Sequence, residues 1–485
     1  MCGIFGFILN EGTDDVNVAS VIYLGLIALQ HRGQEGAGMV TSDGLSDHFT
    51  AHRGRGLVAD VFKKQDIVRL GENAQLGVGH TRYSTMGQKD RFDDVHPFVV
   101  RFEKGALALA HNGELVGAHA KREHLQKNGA TFVTDVDTEI LAHMILDSAK
   151  NPANFYDDWM DVIENTVRQI KTTSFSLLIM VKDRMFAVRD SWGNRPLCMA
   201  ALKLESDTLG WVVASESTAL NAIDADVTCY QATEIFPGEI VELTNNGPQR
   251  RRVVKNPYDR TAFCIFEYVY FARPSTVFEG QQVDTVRYNC GVLLAREAPV
   301  QGDIVSCVPE SSFSAALGYA SESGLPYLNT LAKNSYIGRS FILPNTKLRQ
   351  QSIAKKFAPI ISNIAGKSVI LVDDSIVRGN TMQRLVKMLK DVGATKLHIR
   401  IASPAIRHTC NMGINIPTKE ELIANNVRES DLAKFFGADS VAHLSIEGLK
   451  EAVSRHMEKN PTNTGHCMAC FDGNYPVGFR KDLEW

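Results

Sequence analysis

Nowhere does the 485-residue sequence hold an uncharged apolar stretch near the ~18 to 20 residues that span a bilayer, so no membrane-crossing helix is expected. Met1-Cys2-Gly3 is followed by neither a basic segment nor a secretory core, and an intracellular, cytoplasmic protein is expected. A surplus of charge is missing too. With 52 Lys and Arg against 55 Asp and Glu, the net charge of -3 argues against nucleic-acid or anionic-membrane partners. An anionic ligand must then be held by a local arrangement. Fixed-period repeats and low-complexity tracts are absent, and 37 Gly and 16 Pro in an ordinary composition exclude collagen-like and disordered classes. The nine cysteines are few and odd in number, which suits a reducing compartment where thiols are buried, reactive or metal-bound.

What is present divides in two. Up to about residue 235, short apolar runs at 4–9, 77–80, 106–110, 175–181, 185–188 and 211–214 read as buried strands, with helix-period stretches at 18–30 and 137–149. That mixture suggests helices layered on sheets. A last strand is expected at 236–244, a turn at 245–247 and a solvated charge cluster at Arg250-Arg251-Arg252. Beyond it, strand-like runs at 304–308, 368–372 and 397–402 alternate with helical stretches at 285–297, 312–323 and 382–392, the pattern of a mostly parallel α/β sheet. Domains are expected at 2–240 and 260–455, with a C-terminal tail at 456–485.

Cys2 becomes the first residue once Met1 is removed, and its thiol and α-amine then sit on one residue. The amine, with an ordinary pKa near 7.7 to 8.0, is able to take the thiol proton. An isolated Met-Cys start would be unremarkable, but its neighbours supply what attack on an amide needs. Asn112-Gly113 follows a buried-looking run and offers oxyanion donors. Arg82, after another such run, suits bidentate capture of a carboxylate. Asp137 opens a helix and reads either as a cap or as a partner for a substrate ammonium.

The fragments 1–6, 29–35, 79–85, 111–113 and 137–140, in that order, together resemble the N-terminal-nucleophile glutamine amidotransferase family. The resemblance implies a four-layer α-β-β-α Ntn-hydrolase sandwich, Cys2 as nucleophile, Asn112 and Gly113 as oxyanion hole, and Arg82 and Asp137 as binders of the glutamine carboxylate and amino groups. Segment 189–197 fits as well, although Ser191-Trp192 stands where the family commonly has Pro-x.

In the second half an apolar strand runs into Asp373-Asp374-Ser375-Ile376-Val377-Arg378-Gly379-Asn380-Thr381 and a helix. Such a strand-loop-helix presents backbone N–H groups and the positive helix end to a phosphate, and its two carboxylates suit a ribose diol or Mg2+. The run resembles the 5-phosphoribosyl-1-diphosphate (PRPP) motif of type I phosphoribosyltransferases. That implies Asp373 and Asp374 on ribose or Mg2+, and Ser375, Val377, Arg378, Gly379, Asn380 and Thr381 around the 5'-phosphate. Segment 308–312 resembles the diphosphate loop, with Ser311 as a Mg2+ contact. Segment 333–339 resembles the loop that closes over PRPP, with Lys333 and Arg339 on the diphosphate and Ser335 where the family often has Arg.

Both halves on one chain resemble the glutamine PRPP amidotransferases, which implies glutamine and PRPP as substrates, purine nucleotides as feedback inhibitors, and a homotetramer or homodimer. Cys467-x-x-Cys470 is a ligand-type pair that Cys410 and Cys264 would complete, and C-x-x-C alone suits zinc or redox chemistry equally. The contexts of Cys264 and Cys467 resemble the iron-sulfur branch of those enzymes, which implies a 4Fe-4S cluster. Cys198, Cys229, Cys290 and Cys307 read as buried small residues. A PRPP sensor with a degenerate glutaminase and a zinc-knuckle interaction protein are the competing readings.

Overall fold

The computed structural model describes residues 2–13, 16–83, 92–103, 105–150, 158–170, 174–223, 232–258, 260–334, 356–416, 418–457 and 465–476. Arg339, Ser335 and Cys229 lie outside them. Strand Gly3–Leu9 is buried along its whole length. It is central in a seven-stranded sheet, antiparallel to Asp207–Ala214 on one side and Leu76–Arg82 on the other, with Phe5 opposite Ala214 and Gly79. Because side chains alternate across a strand, Ile4 and Ile8 face a second, six-stranded antiparallel sheet, where they meet Ala108, Leu178 and Ala187. Phe5, Phe7 and Leu9 face outward into a core with helix Val18–Ala28. The helix lies close: a Cβ on Gly25 would come within 2.3 Å of the Phe5 ring. On the outer face of the second sheet, Leu109, Leu177 and Phe186 pack against helices Asp137–Ala149 and Trp159–Gln169. Helix, sheet, sheet and helix are the four layers expected.

The first domain extends past its expected end at residue 240. Gly247–Val253 is the edge strand of the six-stranded sheet, and the three arginines are paired rather than solvated alone. Arg250 meets Asp158 and Glu242, Arg251 meets Glu239, and Arg252 meets Asp161 and Glu164. A strand carrying three consecutive arginines holds its place at an edge because neighbouring carboxylates satisfy them.

In the second domain Ile304–Cys307, Ser368–Asp373, Lys396–Ile401 and Ser440–His443 form a parallel sheet in that order. Helices Val283–Glu297, Phe313–Ser323 and Ile446–Ser454 share one core with it, and Asn380–Asp391 with Leu432–Phe436 another, so both faces are covered. The cysteine-bearing tail is part of this body: His466–Cys467 pairs in parallel with Phe263–Cys264. Among the described residues no helix is long and apolar enough to cross a membrane.

Candidate active sites

Five of the residues expected around the nucleophile converge on one end of the sandwich. The Gly3–Thr81 pair places Cys2 beside Arg82 on the neighbouring strand. The Cys2 N–H donates to Asn112 Oδ1 at 3.1 Å, and its Sγ lies 3.5 Å from the Tyr83 carbonyl oxygen. With its oxygen so engaged, Asn112 is wholly buried and its Nδ2 has no hydrogen-bond partner among the described residues. A buried donor left open costs on the order of 1–3 kcal/mol, which an arriving oxyanion would recover. Strand Gly105–Glu114 continues through Asn112 and Gly113 rather than ending before them. Gly113 is demanded by packing, since a Cβ there would lie 2.2 Å from the Ser174 carbonyl oxygen. Asp137 is the first helical residue, the cap position falling to Val136. Its Oδ2 accepts from Leu115 N–H at 2.8 Å, and Oδ1 lies 3.9 Å from His111 Nδ1. Arg82 Nη2 lies 3.5 Å from Asp94 Oδ2.

The phosphate-loop residues gather at the C-terminal end of the parallel sheet, where ligands of open α/β folds bind. The register Cys307–Val372 sets the 308–312 loop beside the acid pair, so that Ser311 and both carboxylates line one cavity. Burial raises the Asp373 pKa, and the adjacent carboxylate of Asp374 adds to the rise. Burial raises Asp374 as well, against the pull of Ser311, Ser375 and Arg287. Two hard oxygen acids held this way fit a divalent cation completed by substrate oxygens. Gly379 caps helix Asn380–Asp391 with φ +80, a conformation glycine adopts without strain. Lys333 Nζ reaches Glu310 Oε2 at 3.2 Å, next to Ser311. Arg378 lines the cavity while pairing with Glu421 at 2.5 Å.

One cavity of about 300 Å3 extends from the phosphate loop to Tyr83, whose carbonyl oxygen the Cys2 thiol approaches. Its wall includes Ser311 and 373–381 from one side, Tyr83 and Glu35 from the other, and Phe266, Tyr270, Phe271 and Ile414 between. The sequence reading missed what locks this junction. Buried Arg32 donates from Nε to the Cys2 carbonyl oxygen at 3.0 Å and pairs with Glu216 and, at 2.9 Å, with Glu267. Glu267 belongs to the segment that carries Phe266 and Tyr270 into the cavity wall. The signal was a His-Arg pair sandwiched between an apolar helix and a glycine.

Cys264, Cys410, Cys467 and Cys470 also come together. All described cysteines are free, and burial raises the Cys410 pKa to about 11, with Cys264 adding to it. Cys467 and Cys470 are raised by burial and then by the other thiols of the set. Four thiols gathered in one place, each held protonated until a cation takes the proton's place, fit a soft cationic group as ligand set. Among the described residues no three His, Cys, Asp or Glu donors already stand in metal-ligating geometry. Cys198, Cys290 and Cys307 are buried, as expected.

Family models agree with this layout: one described as a glutamine amidotransferase domain matches residues 80–222, and one described as a phosphoribosyl transferase domain matches 294–423. The amidophosphoribosyltransferase of Rattus norvegicus is 46% identical over 517 residues, covering 100% of this chain and 98% of its own. That of Methanocaldococcus jannaschii is 41% identical, covering 100% and 99%. The chain belongs to the amidophosphoribosyltransferase family. The solved glutamine PRPP amidotransferase of Bacillus subtilis superposes with a TM-score of 0.85 at 38% identity, covering 100% of this chain and 99% of that one. The activity of an amidophosphoribosyltransferase is glutamine-dependent pentosyl transfer.

Two outcomes follow for the glutaminase half. Asn112→Ala removes the open Nδ2 donor and is expected to lower glutamine-dependent kcat by about 10²- to 10³-fold, measured as glutamate release, with KM changed far less. Glu114, next along the strand, has its pKa raised to about 7 by burial and by the Asp137 carboxylate. The folded value lies above the unfolded one, so the stability it contributes is full below about pH 4 and is lost as pH rises through 7. Glu114→Gln is therefore expected to gain Tm relative to the parent between pH 5 and 8. A Tm difference flat across that range rejects the assignment.

Proposed function

We propose that glutamine is hydrolysed at Cys2 and its nitrogen passed as NH3 through the shared cavity to C1 of PRPP, giving 5-phosphoribosylamine, glutamate and diphosphate, the first step of purine synthesis. The observation that carries this reading is the single cavity walled by the phosphate loop and by Tyr83, the residue the Cys2 thiol touches. In the first half-reaction the α-amine takes the thiol proton, sulfur attacks the carboxamide carbon, and Asn112 Nδ2 with Gly113 N–H receives the oxyanion. Arg82 and Asp137 hold the two ends of glutamine. Collapse of the adduct releases NH3 and leaves a thioester that water cleaves to glutamate. At neutral pH water would protonate the NH3, and the aromatic wall of Phe266, Tyr270 and Phe271 supports a route kept from solvent.

In the second half-reaction, residues 375–381 hold the 5'-phosphate at the helix end, while Lys333, with Arg339, neutralises diphosphate. Asp373 and Asp374, with Ser311, would hold Mg2+, which when bound polarises the diphosphate leaving group. Cys264, Cys410, Cys467 and Cys470 would hold the 4Fe-4S cluster, which when bound would tie together three segments of the second domain that are remote in sequence. Free thiols and the absence of a long apolar helix among the described residues support a cytoplasmic placement. The Bacillus subtilis structure carries ADP and GMP, and purine nucleotides as inhibitors and a homotetramer or homodimer belong to the same proposal. The test is diphosphate release from PRPP and Mg2+ with glutamine, beside iron and sulfide analysis of protein purified without oxygen. No release with either glutamine or ammonium overturns the transferase reading; zinc in place of iron overturns the cluster.

A further inference from the structure

Loop 190–195 of the glutaminase domain reaches the cysteine set across the domain boundary. Asp190 fixes its shape: Oδ1 accepts from the N–H of Trp192 at 2.9 Å and of Asn194 at 3.1 Å, and Oδ2 from Arg195 N–H at 3.0 Å. Shaped in this way, the loop becomes an edge partner for the segment carrying the first cysteine. Ala262 N–H donates to the Trp192 carbonyl at 2.7 Å, Cys264 N–H to the Asn194 carbonyl at 3.3 Å, and Asn194 Nδ2 to the Ala262 carbonyl at 2.7 Å. On the other side that segment pairs with His466–Cys467.

Trp192 is 1% exposed and shares one apolar cluster with Ala262, Met412, Cys467 and Ala469, with Cys410 and Tyr475 against its margin. Three segments bearing ligand cysteines therefore meet around one indole. Trp192 does not line the substrate cavity, so neither half-reaction accounts for the largest side chain in the core. Arg195, fully buried in the same loop, donates from Nη2 to Asn194 Oδ1 at 2.8 Å and lies 3.9 Å from Glu267, and its charge interacts with Cys264 and Cys410, placing one cation beside the thiols. Hydrogen-bond donors near sulfur and exclusion of solvent are the two means by which a protein tunes and protects a thiolate-bound cluster.

We propose that Trp192 is the cover of the cysteine-bound cluster: the glutaminase domain supplies the wall that keeps water and small solutes from the iron–thiolate bonds, with Arg195 as the counter-charge behind it. This rests on the cluster reading given above. It makes the site a shared property of both domains rather than of the cysteine segments alone.

The full-length parent, Trp192→Phe and Trp192→Ala are loaded under argon with ferrous iron and sulfide, then challenged with excess ferrous chelator. Iron and sulfide content, visible absorbance and tryptophan emission are followed. All three are expected to take up equal iron. Loading quenches the parent's tryptophan emission, and much of that quenching disappears in Trp192→Phe. Bleaching by chelator is expected to be at least about fivefold faster in Trp192→Ala and intermediate in Trp192→Phe. If iron loading is equal and all bleach at the parent's rate, the cover proposal fails while the cluster stands. A parent that takes up no iron or sulfide removes the cluster reading, and the cover with it. If Trp192→Ala does not fold, Trp192→Phe decides: unchanged quenching and bleaching reject the proposal.

Discussion

Replacing Cys2 by alanine is expected to lower glutamine-dependent diphosphate release by more than about 10³-fold while leaving ammonium-dependent release within about threefold of the parent. The asymmetry follows from geometry. Cys2 is held by backbone groups, its N–H on Asn112 and its carbonyl on Arg32 Nε, and alanine keeps both. Only sulfur is lost, and with it the thioester route. The phosphate loop lies at the far wall of the cavity, on another domain, and added ammonia needs no nucleophile. Diphosphate release with each nitrogen source, at an alkaline pH where NH3 is populated, separates the two. Equal loss with both sources would mean that Cys2 supports the transferase fold and would sink its assignment as nucleophile. A variant keeping the glutamine reaction would sink it more directly.

What the sequence disclosed and what it hid have different physical origins. Strands buried on both faces, such as Gly3–Leu9 and Ser174–Val181, read as continuous apolar runs, and short-range chemistry such as the loop at 373–381 stands in consecutive positions. Both are local signals. Other strands are not: Gly36–Ser42, paired on both sides within its sheet, is rich in small residues, and the edge strand Gly247–Val253 hides as a run of arginines whose partners at 158, 161 and 164 are remote in sequence. The Arg32–Glu267 pair and the meeting of Trp192 with Cys467 are likewise set only when two domains dock. Asn112 was legible as a residue type, but the open Nδ2 that makes it a donor required the Cys2 N–H to occupy its oxygen.

Asp373→Asn with Asp374→Asn is expected to abolish diphosphate release with glutamine and with ammonium alike, while raising the Tm of the ligand-free protein. Both carboxylates are pushed above their ordinary pKa by burial, Asp373 also by its neighbour. A raised folded pKa means that the stability the acids contribute is full below the ordinary carboxylate range and is lost as pH rises through the folded values, so two buried, mutually repelling acids cost stability as the pH climbs. Two amides of the same shape remove that repulsion. For a domain of 150–250 residues each kcal/mol relieved is worth roughly 2–4 °C in Tm. The acids are nonetheless placed where a divalent cation and a ribose diol would need them, beside Ser311 and the capped helix. A site that is repulsive when empty is poised to gain from a cation that neutralises it, which is the trade between stability and function expected at a catalytic centre. Scanning calorimetry with and without Mg2+ and PRPP reads both halves at once: the double variant starts above the parent and gains nothing on ligand addition, whereas the parent starts lower and rises. A double variant whose empty Tm falls, or which keeps a ligand-induced rise and measurable turnover, would show that the acid pair is a structural turn and would move the cation site elsewhere on the cavity wall.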